Sequence, residues 1–188
     1  HSVVRRQRQM CIRDRILIGE DEIENWRDFL DVMVSSISDN GGRSCVNASA
    51  VIVPKYGREI ADALGKRLGP LNPLPVDDPN AVLSGFANPK MGEWINSTLE
   101  SDLEEKGAYD ATAPYRSGSR LLEAEGGTYL RPTIVHCDSM EHILANREFL
   151  CPYASVVEVP QAEMLRAIGP TLVVTAITKD ETFKRQLL

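Results

Sequence analysis

The chain has 188 residues, of which 43% are hydrophobic and 26% charged, and a formal net charge of −6. Those proportions fit one globular domain and exclude a collagenous, low-complexity or wholly disordered chain. No apolar run approaches the roughly 20 residues of a membrane-spanning helix, and the acidic balance argues against a nucleic-acid surface, so neither partner is expected.

The charge is unevenly placed. Residues 1–15 hold five Arg against one Asp, a net of +4, which leaves −10 for the rest. No amphipathic period organises these arginines, and the run from Gln7 to Arg15 resembles translated adapter sequence. Residues 1–15 are therefore expected to be a non-native or disordered leader, and 16–188 the folded unit.

In chain order, residues 16–19 read as a short strand. From Glu24 a helix is predicted, because Trp26, Phe29, Leu30, Met33, Val34 and Ile37 recur at helical spacing on one face. Asn40-Gly41-Gly42 stops it. Residues 50–53 are apolar, mostly β-branched and closed by Pro54, the pattern of a buried strand. Residues 58–68 form a second amphipathic helix ended by Gly69-Pro70.

Five prolines make residues 69–90 an extended surface connection. Residues 91–106 are helical, 110–128 polar and turn-rich, and 129–135 a strand that tolerates Pro132 only near an edge or bulge. A strand at 155–159, a helix at 161–168, a strand at 172–177 and a helix begun at 178 complete the chain. Strands alternating with helices imply an α/β fold, in which a largely parallel sheet is covered on both faces by helices.

Four cysteines, Cys11, Cys45, Cys137 and Cys151, form no disulfide framework and no zinc-binding spacing, so no metal is expected. His136 and Cys137 are adjacent on a strand and point to opposite faces. Reduced thiols imply a cytoplasmic location. The sequons at Asn47 and Asn96 are then silent.

Cys45 is the most informative residue. It lies in the loop Asn40-Gly41-Gly42-Arg43-Ser44-Cys45 between a helix and a buried strand, where reactive groups are commonly presented. Glycines let the backbone approach a ligand and leave N–H groups open. A Cys45 thiolate could attack a carbonyl while its own N–H stabilises the oxyanion, with Arg43 helping to lower the thiol pKa. A second signal, Glu148-Phe149-Leu150-Cys151-Pro152, places a carboxylate before an apolar turn feeding a buried strand, a form suited to ribose hydroxyls. A cysteine hydrolase with His136 as base is a competing reading.

Together these segments resemble the catalytic domain of the NAD(P)-dependent aldehyde dehydrogenase superfamily, from about Trp26 to Leu188. The family's N-x-G-Q-x-C reads here Asn40 to Cys45, with Arg43 in place of Gln. Its E-x-F-G-P reads Glu148 to Pro152, 103 positions after Cys45. Between them, Leu130-Arg131-Pro132-Thr133 matches the family's Pro-Thr strand, and 169–178 matches the segment that follows.

The resemblance implies a thiohemiacetal on Cys45, hydride transfer to NAD or NADP, and release of the acyl group to water or to coenzyme A. Glu148 would bind the nicotinamide ribose. Leu150 stands where an aromatic residue normally packs beside it. The family's general-base Glu falls near position 11, where this chain has Cys11. The cofactor-binding domain and the segment through which family members form homo-oligomers lie outside the matched stretch. The expectation is thus an aldehyde dehydrogenase catalytic domain truncated at both ends and inactive alone. The alternative is a non-catalytic interaction module retaining the fold.

Overall fold

The computed structural model describes residues 12–124 and 127–188. Its main sheet has six strands in the order β3-β6-β7-β2-β1-β8. These are β1 (Asp14–Ile18), β2 (Ala48–Val53), β3 (Ala108–Asp110), β6 (Thr133–Cys137), β7 (Tyr153–Glu158) and β8 (Val174–Ile177). All neighbours pair in parallel except β3, which runs antiparallel to β6. A separate two-stranded sheet joins β4 (Leu121–Ala124) to β5 (Gly127–Leu130).

Alternation along each strand sorts its residues between two cores. Ile16, Ile18, Val51, Val53, Ile134 and Val156 face α1 (Leu30–Ser38) and α2 (Gly57–Leu68), which contribute Met33, Ile37, Ile60 and Leu64. Leu17, Ile52, Val135, Cys137 and Val157 face α3 (Pro89–Leu103), α4 (Gln161–Ile168) and α5 (Glu181–Leu187), through Ile95, Leu99, Met164 and Phe183. The expected α/β sheet with helices on both faces is what forms.

The differences from sequence have physical reasons. The helix expected from Glu24 begins as a 3-10 turn, Ile23–Phe29, kinked at Asn25, and becomes α-helical only at Leu30. The strand expected at 129–135 is two strands in two sheets, broken at Arg131-Pro132 because proline has no N–H to continue the ladder. The turn-rich 110–128 region holds β4, half of a hairpin that its polar composition concealed. The strand at the sheet edge, β8, is half-exposed throughout.

The leader boundary also changes. Residues 1–11 lie outside the described residues. Asp14 and Arg15 belong to β1, and Arg13 and Arg15 are buried, so the fold starts inside the segment expected to be a leader. Arginines without helical period gave no sign of a fold, but the Arg13 side chain reaches carbonyls at Asn47, Phe149 and Cys151.

Candidate active site

Parallel strands share a direction, so the segments that lead into neighbouring strands lie at the same edge of the sheet. β2 and β7 pair in parallel, Ala50 opposite Ser155. The Cys45 loop leads into β2 and the Glu148 segment into β7. Two stretches far apart in sequence therefore meet.

The Cys45 loop is shaped by three consecutive left-handed residues, Asn40, Gly41 and Gly42, with φ of 56°, 66° and 65°. Two of these positions have no room for a side chain. A Cβ on Gly41 would sit 2.3 Å from Ser84 Oγ, and one on Gly42 2.5 Å from both Cys151 C and Pro152 N. Gly42 is thus the contact between the Cys45 loop and the end of the Glu148 segment.

Asn47 locks the loop's other end. Its side chain is buried, accepts from the Ser44 N–H at 2.7 Å, and donates to the Ser36 and Asp39 carbonyls at 3.0 and 2.9 Å. A short amide two residues past the cysteine, before a strand, was the available signal. In the sequence it registers only as a sequon, and its engaged, buried side chain leaves no acceptor for a glycan. Cys45, at the tip, is exposed. Its backbone N–H has no acceptor among the described residues.

Arg43 does not serve the thiol as expected. Its guanidinium donates to the Ser84 and Gly85 carbonyls at 3.0 and 2.8 Å and lies 4.7 Å over the Phe86 ring, which fixes the loop to the proline-rich connection.

In the second segment, Arg147 pairs with Asp102 at 2.8 Å on α3. Phe149 is buried edge-on to Tyr153 and Trp94, at ring separations of 5.0 and 6.2 Å. Leu150 points outward, 55% exposed. Glu148 is half-buried, and its two carboxylate oxygens accept from the Ile12 and Arg13 N–H groups, each at 3.3 Å. The Arg13 side chain then bridges both segments, donating to the Asn47 carbonyl at 3.3 Å and to the Phe149 and Cys151 carbonyls. Arg13 was invisible to sequence reasoning because it sits in the stretch set aside as leader.

The other thiols differ in kind. Burial pushes Cys137 and Cys151 each up to about 12, which removes the thiolate at neutral pH. His136 is no partner for Cys45. It is buried under Tyr109, stacked at 5.2 Å, and paired in register with Val156, well along the sheet from the amino ends of the strands. Among the described residues no three His, Cys, Asp or Glu side chains converge as a metal site, and no helix is long and apolar enough to cross a membrane.

Beside the loop, α1 and residues 39–47 enclose an open cleft of about 480 Å³. Asp31, Val32, Ser35, Asp39, Asn40 and Val46 line it, together with Ser36 and the inner face of Asn47.

No family model and no curated protein matches this sequence. Solved structures do match. A variant of an aldehyde dehydrogenase from Bacillus cereus superposes with a TM-score of 0.74 at 19% identity, over 93% of this chain and 35% of that one. A 1-pyrroline-5-carboxylate dehydrogenase from Thermus, solved with bound NAD, gives 0.72 at 20% identity, over 93% and 33%. Lactaldehyde dehydrogenase from Escherichia coli gives 0.73 at 18% identity, over 94% and 36%. The chain has the fold of a part of these enzymes and spans about a third of their length.

Proposed function

We propose that this chain is the catalytic part of an NAD(P)-dependent aldehyde dehydrogenase, with Cys45 as nucleophile. The observation that carries the reading is the meeting of the Cys45 loop with the Glu148–Pro152 segment through Gly42, on a fold shared with those enzymes. The Cys45 thiolate adds to the aldehyde carbon. A C–S bond forms, and the carbonyl π pair moves to oxygen, where the open Cys45 N–H is a donor for the oxyanion.

Glu148 and Leu150 fit one side of a nicotinamide ribose. Each carboxylate oxygen has a lone pair beyond the one given to Ile12 or Arg13, and Leu150 offers an apolar surface without a ring face. When bound, NAD or NADP would supply the hydride acceptor. Water or coenzyme A is the acyl acceptor this chemistry admits. Such activity belongs to a longer protein, and this chain alone is expected not to reduce NAD(P).

The test is alkylation of the purified chain in a Cys11→Ser background. Iodoacetamide at pH 8 should modify the exposed Cys45 well before Cys137 or Cys151, whose thiols are buried and displaced upward by that burial. A panel of simple aldehydes should protect Cys45. Absence of protection by any aldehyde overturns the reading.

A further inference from the structure

Asn47 locks one end of the Cys45 loop, and a single side chain tethers the rest. Arg43 is half-buried, and its Nη2 donates to two successive carbonyls, Ser84 at 3.0 Å and Gly85 at 2.8 Å, which uses both hydrogens of that nitrogen. The guanidinium also lies 4.7 Å over the ring of the next residue, Phe86. A planar fork donates in its plane and stacks on its face at once, which neither an ammonium nor an amide can do. Gly41 closes on Ser84 beside it, with no room for a Cβ.

The far end of this tether is firmly held. Phe86 is buried, and its N–H donates to the Thr128 carbonyl at 2.7 Å. Its ring lies against α3, where a Cβ on Gly92 would meet Phe86 Cδ2 at 3.4 Å. The same helix supports the Glu148 segment, through Asp102 to Arg147 and through Trp94 to Phe149. That segment returns to the Cys45 loop at Gly42. The contacts close a ring, in which the thiol loop and the carboxylate segment rest on one helix. Arg43 is the link in that ring nearest the thiol, two residues away in sequence.

Resting on the reading of Cys45 as the nucleophile, we propose that Arg43 is a positioning residue for it. By tethering the loop to residues 84–86, it keeps the open Cys45 N–H aimed where the oxyanion forms. Its guanidinium is spent on two carbonyls and a ring, so it acts through the backbone and not as a charge on the thiol. It touches none of the reacting atoms.

Alkylation with and without aldehyde tests this without requiring turnover. In a Cys11→Ser background, Cys45 is alkylated by iodoacetamide against a panel of simple aldehydes, propanal and benzaldehyde among them. Arg43→Met keeps the stem and removes the donors and the plane. The aldehyde-free rate should stay within about twofold of the parent, because the thiol is exposed already. The aldehyde concentration that halves the rate should rise about fivefold, the weight of one hydrogen bond.

Arg43→Lys keeps donors for the carbonyls but no stacking plane, and should lose only about twofold. Arg166→Met, on α4, removes the same charge elsewhere and should change neither quantity. Unmodified Cys137 and Cys151 report that a variant is folded. Where Arg43→Met does not fold, the twofold loss in Arg43→Lys carries the test. Unchanged protection in the folded variant overturns the positioning role and leaves the dehydrogenase reading standing. An aldehyde-free rate that falls as far as protection does also overturns it, since a charge acting on the thiol would be the cause. If no aldehyde protects the parent, the dehydrogenase reading fails and the proposal with it.

Discussion

At the amino ends of β2 and β7 lie an exposed thiol, a half-buried carboxylate held by two backbone N–H groups, and an open N–H. One strand over, where the end of β3 meets the amino end of β6, a cluster of equally polar groups is consumed by its own members. Asp110 receives Arg116 at 2.6 Å and Arg120 at 2.9 Å, the Thr112 hydroxyl, and the N–H groups of Thr112 and Ala113. Arg120 also reaches Thr133 and Asn96, and Arg116 reaches Thr112 and the Pro132 carbonyl. The ion-paired side chains are 7–8% exposed. Burial with every partner supplied makes a clasp that fastens the 110–120 connection to β6. Groups held by the backbone but left with spare valence make a site. Residue type alone does not distinguish the two, since each region has carboxylates and arginines.

The comparison can be broken most severely at the clasp. Asp110→Ala leaves two guanidinium groups without their buried counter-ion, and should cost about 3–5 kcal/mol in urea unfolding. Under native conditions the alkylation rate of Cys45 should be unchanged, because the clasp does not touch its loop. A fall in that rate would mean the two regions are not independent.

Gly42→Ala attacks the other side. A Cβ there meets the backbone at Cys151 and Pro152 in a left-handed conformation, for an expected loss of about 2–4 kcal/mol. The displaced segment should also expose Cys151, read as a second alkylated thiol in the folded protein. Alkylation confined to Cys45 would show that the two loops do not depend on this contact.

The smallest effect is on pH dependence, which sharpens the difference further. Burial, then Arg58, holds His136 below the ordinary imidazole value, against the opposite pull of Asp138, Glu158 and Glu59. The folded chain therefore resists protonation more than the unfolded one. Stability from this group is complete above about pH 6.5 and is lost as pH falls through the lower folded value. Asp110 has the same sign in a more acidic window. Burial raises it, but bonds from Arg116 and Thr112 outweigh burial and hold it low, so its contribution is lost only below about pH 4. Unfolding midpoints measured from pH 7 to 5 should decline in the parent and flatten in His136→Gln; equal slopes would remove His136 from the account.

Much of this was legible in the amino-acid order. Short apolar runs at 50–53 and 155–159, and the helical stripes through Met33 and Leu64, identify buried strands and one-sided helices without knowledge of their neighbours. The glycines before Cys45 mark a loop of left-handed backbone, because few other residues adopt it cheaply. The break at Pro132 was recognisable as a difficulty, although the assignment of its two halves to different sheets was not. Arg13 and Asn47 escaped notice because hydrogen bonds to carbonyls of distant or neighbouring segments leave no periodic trace.

Sequence by itself determined most of the strands and helices, which of their faces are apolar, and which cysteine lies in a glycine-bearing loop, since these follow from local sterics and spacing. Tertiary structure alone decided that the loop before β2 meets the segment before β7, that Arg43 turns to residues 84–86 and not to the thiol, and that Asp110 is a buried clasp. Those outcomes depend on strand order and parallel register, which bring together residues whose separation along the chain carries no information about their distance in space.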